Sequence, residues 1–122
     1  MEANFRTVDL QLAHRWAIAR GLAADGLGGS ETCPVVVLEL KDAEACRGLG
    51  EASPSRRYGE NIGTVLDFLK RVEPQRLSPH DLAGSMSYLE SVAPENHAAK
   101  CAVNLALLDL AARQAGQPVC DF

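Results

Sequence analysis

Arg56, Arg57 and Tyr58 stand together in the stretch Ser53-Pro54-Ser55-Arg56-Arg57-Tyr58-Gly59-Glu60, between a glycine-bearing extended run and a helical one. A planar guanidinium meets a carboxylate with paired N–H donors. Grouped on a loop, where binding residues concentrate, these types point to capture of a small acidic ligand. Two exposed arginines on a turn are equally what an ordinary solvated loop carries. The other reactive side chains form no such group. Cys33, Cys46, Cys101 and Cys120 make no Cys-x-x-Cys pair, and no histidine stands at zinc-finger spacing from them. Cys101 falls inside an apolar helical pattern and reads as a small hydrophobe. His14, His80 and His97 have no partner pattern and read as structural or exposed, the last two in first helical turns. The carboxylates are scattered over turns and helix ends. The chemistry legible here is recognition, with no nucleophile–base pair and no metal cluster.

The balance of charge narrows the partners. Twelve basic against sixteen acidic residues leave a formal charge of −4, whereas nucleic acid or an anionic membrane surface calls for a basic face. The start, Met1-Glu2-Ala3-Asn4, is polar and has no apolar leader core, and no uncharged run reaches the ~18 residues of a membrane helix. A cytoplasmic protein with reduced thiols is the expectation. A length of 122 residues with 47% hydrophobic side chains fits one domain with a real core.

The elements that must position the loop can be read from periodicity. Val8, Leu10 and Leu12 alternate with polar neighbours and predict a strand over about 3–13 with those three on its buried face. Val35, Val36, Val37 and Leu38 form a near-continuous apolar run, a central strand over about 34–41. A short polar turn leads to a third, glycine-bearing strand over about 45–52. Three strands joined in sequence predict an antiparallel meander.

Helices follow. Asn61 caps one over about 61–73, ended by Pro74, with Glu60 favouring its N-terminus through the helix dipole. Ser78, with Pro79 at the first helical position and Asp81 in the first turn, predicts another over about 79–92. Residues 95–122 hold a helix apolar almost all round, stopped at Gly116. Such a helix is buried on every side, more than this sheet and two short helices are expected to cover. It therefore asks for a partner outside this sequence. Asp109 within it either pairs with Arg113 at i+4 or bonds backbone beyond the chain. The fold class is α+β: a three-stranded antiparallel meander, then about three helices, with residues 1–94 as one unit and 95–122 as the apolar helix and a lead-out.

In that order the segments resemble the N-terminal capping domain of the enolase superfamily, in its mandelate racemase and muconate lactonizing group, and within it the dipeptide epimerases acting on L-Ala-D/L-Glu type substrates. "RWAIARG" at 15–21 is similar to the family's aromatic-led segment after the first strand, and "VVVLELKD" at 35–42 to its second strand. "GLGEASPSRRYGEN" at 48–61 resembles its Gly-x-Gly-Glu-Ala strand and following loop. "AAKCAVNLALLDLAARQAGQPV" at 98–119 resembles the alanine-rich helix that leads into a (β/α) barrel.

The resemblance implies an isomerase, a racemase or epimerase, whose barrel carries Mg²⁺ and the catalytic residues. It also implies a cap whose loops, 15–30 and 53–60 here, close over the barrel and contact a dipeptide or small carboxylate. Trp16, Arg20, Arg57 and Tyr58 are the substrate-binding residues it implies. Trp16 is equally a rim aromatic on the cap's own core, and Arg20 a solvated loop charge. Glu51 anchors the loop or the barrel interface. The barrel's Lys-x-Lys motif and spaced metal carboxylates do not occur in this sequence. No catalytic residue and no metal site is therefore expected in this chain, which would be inactive alone. The alternative is a stand-alone, non-catalytic protein that self-associates through the apolar helix or binds an acidic ligand through Arg20, Arg57 and Tyr58.

Overall fold

The structure, a computed structural model, describes residues 1–16 and 30–121. Strands β1 (Glu2–Trp16), β2 (Ser30–Lys41) and β3 (Arg47–Ala52) form one antiparallel sheet in the order β1-β2-β3. Helices α1 (Ile62–Arg71), α2 (Leu82–Val92) and α3 (His97–Gln114) follow, with single 3-10 turns at Arg56–Tyr58, Pro74–Arg76 and Val119–Asp121. The fold is the α+β arrangement of a meander followed by three helices. β1 and β2 each extend beyond their apolar patterns, and α1 stops at Arg71, before Pro74 is reached.

The register decides which face of the sheet is the core, and for β1 it overturns the periodic reading. Phe5 lies opposite Leu38 and Thr7 opposite Val36, and side chains directly opposite share a face. Leu38 and Val36 are core residues, with Phe5 and Ala3 packed beside them. Val8, opposite Val35, and Leu10, opposite Cys33, therefore stand on the other face, and Leu10 is exposed. β2 is apolar on both faces, so its sequence cannot say which of them meets the helices.

β3 is built for close contact. Its buried positions are Gly48, Gly50 and Ala52. A Cβ at Gly48 would stand 2.0 Å from the Ala106 carbonyl oxygen, and one at Gly50 1.9 Å from that of Ala102. Glycine is required there because the α3 backbone occupies the space a side chain would need. On the α3 side, Ala99, Ala102 and Ala106 are fully buried. Val103, Leu107 and Leu110 extend the core, which Val65, Phe68, Leu69 and Leu89 complete from α1 and α2.

The sheet and the two short helices thus cover more of α3 than its composition suggests. Cys101 and Leu105 are nonetheless left exposed. At these two positions the helix is not buried on every side as its composition implies.

The helix starts follow local capping. Asn61 and Thr64 form a reciprocal capping box on α1. α2 begins later than expected: Asp81, not Ser78, is its N-cap, accepting from Gly84 N at 2.8 Å. Ser78 instead exchanges hydrogen bonds with Ser85 and accepts from His80 N. His80 therefore precedes the helix. Asp and Ser are near-equal caps, and the Ser78 hydroxyl is taken by His80 N, ahead of the helix.

Candidate functional site

The loop after β3 is short, exposed and tied to itself. Ser55, in an extended conformation, accepts from Arg57 N through its side chain at 3.3 Å, and from Tyr58 N and Glu60 N through its carbonyl at 3.0 and 3.2 Å. Gly59 closes the turn with a left-handed φ of 72° and donates to the Arg56 carbonyl at 3.0 Å. These bonds hold the backbone while its side chains face outward. Arg56 and Arg57 are exposed, and Tyr58 retains 73% of its surface. Among the described residues neither guanidinium has an ion-pair partner. An aromatic ring left this open contributes little to the core, and two arginines beside it are free to meet an anion.

Beside the loop lies a polar recess of about 270 Å³, lined by Tyr58, Glu60, Thr64, Glu95, Asn96 and His97. Glu60 is buried, and it does not serve the helix that follows it. Its carboxylate accepts from His97 N at 2.5 Å and Ala98 N at 3.2 Å, the first N–H groups of α3. The capping box has already filled the α1 terminus, which leaves Glu60 to the more distant helix.

The predicted site residues fare unequally. Arg57 and Tyr58 stand side by side on the described loop. Trp16 ends β1, its backbone opposite Ser30 beyond a register shift after Gln11; its side chain and Arg20 lie outside the described residues. Glu51 is exposed on the outer face of β3 and holds no hydrogen bond to the loop, because strand alternation turns it away from the helices.

Asp109 makes the i+4 pair with Arg113 (3.0 Å), and the backbone group it accepts from is Leu49 N of this chain's own edge strand, at 2.8 Å. Lys100, within the apolar helix, is also buried. Its ammonium donates to the Pro94 carbonyl at 2.9 Å and pairs with Glu90 at 2.8 Å. Neither Glu60's nor Lys100's partner was legible in advance. The one signal was each side chain's charge beside a helix start.

Among the described residues no three His, Cys, Asp or Glu side chains converge as a metal cluster. The described donor set does not fit a resident Mg²⁺. No helix among the described residues is long and apolar enough to cross a membrane.

Comparison with known proteins identifies relatives of the chain. The sequence profile for the "Mandelate racemase / muconate lactonizing enzyme, N-terminal domain" matches residues 23–122. An L-Ala-D/L-amino acid epimerase of Pedosphaera parvula is 44% identical over all 122 residues, which are 34% of that protein. An L-Ala-D/L-Glu epimerase of Bacteroides thetaiotaomicron is 34% identical over 119 residues, 97% of this chain and 29% of that one.

In three dimensions, the dipeptide epimerase of Cytophaga hutchinsonii, solved with Mg and D-Ala-L-Val, superposes with a TM-score of 0.84 at 24% identity, over 98% of this chain and 32% of its own. The chain thus spans about a third of the length of the curated relatives it matches. Matched by the family profile over most of its length and alike in fold to solved members, the chain belongs to the mandelate racemase / muconate lactonizing enzyme N-terminal domain family, within the enolase superfamily and like its dipeptide epimerases.

Proposed function

We propose that this chain is the substrate lid of a Mg-dependent isomerase that epimerises dipeptides of the L-Ala-X class. The observation that carries the reading is Tyr58: exposed, yet on a backbone fixed by four internal hydrogen bonds. A loop so ordered around side chains that add little to the core is suited to meeting a ligand. The 44% identity with an L-Ala-D/L-amino acid epimerase supports the substrate class.

In this reading the second lid segment is 15–30, with Trp16 and Arg20. Residues 95–122 carry the chain towards a (β/α) barrel of the same polypeptide or another subunit, in the cytoplasm. The barrel would hold the catalytic residues and Mg²⁺, and the metal would supply electrostatic stabilisation of negative charge on the substrate. This chain's own residues bind, orient and exclude water. The Arg57 guanidinium pairs with a substrate carboxylate, and the Tyr58 ring covers the apolar part of the dipeptide.

The test is Tyr58→Ala in a polypeptide carrying the barrel. KM for L-Ala-L-Glu is expected to rise about tenfold with kcat within about threefold, the pattern of lost ground-state binding. An unchanged KM would remove Tyr58 from the substrate site and with it the lid assignment of this loop.

A further inference from the structure

Glu60 is the one buried residue of the 53–60 stretch, at 7% exposure. It lies two positions after Tyr58, and its backbone N–H is bonded to the same Ser55 carbonyl that receives the Tyr58 N–H. Its side chain leaves the loop and meets the first turn of α3. That terminus has no cap of its own: Asn96 is left-handed, with φ of 69°, and makes no side-chain cap bond. The Glu60 carboxylate supplies both missing acceptors, to His97 N and Ala98 N, as a charge-assisted pair at the positive end of the helix dipole. Lys100 secures the same turn from the other side through Pro94 and Glu90. The base of the loop is thereby bonded to a helix start that is itself fixed to α2.

We infer that Glu60 is a positioning residue for Tyr58: its carboxylate ties the base of the loop to the first turn of α3 and so sets where the exposed phenol stands. Glu60 acts through Tyr58, so its consequence for a reaction rests on the lid reading. A glutamine of the same size has only one acceptor oxygen, and its NH₂ group would face one of the two N–H donors.

The experiment combines amide hydrogen exchange on the Glu60→Gln chain with steady-state kinetics of the barrel-bearing polypeptide carrying Glu60→Gln or Tyr58→Ala. Amides of Tyr58, Gly59 and Glu60 are expected to exchange about tenfold faster in Glu60→Gln, while those of Val65–Leu69 stay within about twofold. KM for L-Ala-L-Glu is expected to rise about fivefold with kcat within about twofold. Uniformly faster exchange in loop and α1, with KM unchanged, would make Glu60 a stabilising cap only and overturn the inference. If Tyr58→Ala leaves KM unchanged while loop exchange rises in Glu60→Gln, the lid reading falls and the positioning contact stands. If Tyr58→Ala raises KM but Glu60→Gln moves neither KM nor loop exchange, the inference falls alone. Glu60→Ala, which removes both side-chain acceptors from His97 N and Ala98 N, should exceed Glu60→Gln in loop exchange.

Discussion

Asp42 closes the β2–β3 turn and joins it to the far end of α3. One carboxylate oxygen accepts from Glu44 N and Cys46 N at 2.9 Å each, and the other from the Gln114 side chain at 2.7 Å. The Gln114 bond is the main reason its carboxyl is held below the ordinary Asp range. Desolvation works against it, while the two backbone N–H groups and the N-terminal ammonium reinforce it. A carboxyl whose folded value lies below its unfolded one stabilises the fold fully above the unfolded pKa, about 3.9. That contribution is lost as the pH falls through the folded value. Gln114→Ala should therefore raise the Asp42 pKa towards the ordinary value and bring acid unfolding to a slightly higher pH. Carboxyl chemical shifts followed through the titration check it, and an unmoved Asp42 would refute the assigned cause. The stability effect should be small, because the group is screened by solvent.

At the scale of elements, the pairing of β3 with α3 positions everything else. Gly48 and Gly50 let the helix lie directly on the strand. The edge that β3 would otherwise present for pairing with another strand is partly closed by Asp109 at Leu49 N. Gly50→Ala should cost roughly 2–4 kcal/mol, since its Cβ would overlap backbone and not a movable side chain. The expected signature in urea unfolding is a lower midpoint with an unchanged slope; a midpoint within error of the parent would mean that helix and strand can separate without loss. The glycines were readable in the sequence as a strand with unusual composition. Their reason was not, because the Ala102 and Ala106 carbonyls come from about fifty residues further along the chain, and no local pattern encodes that meeting.

The whole molecule presents Tyr58 on one internally bonded loop and leaves Cys101 and Leu105 exposed along α3. With no metal cluster among the described residues and about a third of its relatives' length, the 122-residue chain alone is expected not to racemise L-Ala-L-Glu, with or without added Mg²⁺. Proton exchange at the substrate α-carbon in deuterated water, followed by NMR, checks this. Detectable exchange above the buffer rate would place catalytic groups in the chain itself.

Sequence alone determined the class and order of the elements, because apolar periodicity, Asn61 as a cap and Pro74 and Gly116 as breaks are local properties. Motif order likewise carried the family, and the resemblance in turn carried the proposal of Arg57 and Tyr58. Tertiary structure decided the rest. The inward face of β1 depended on its register with β2, a relation between two segments that alternation in one of them cannot fix. The exposure of Cys101 depended on how far two short helices reach around α3. The roles of Glu60, Lys100 and Asp109 depended on partners distant along the chain or on carbonyls at a turn. A buried charge is placed by whatever groups satisfy it, and only the folded chain brings those groups within hydrogen-bond distance.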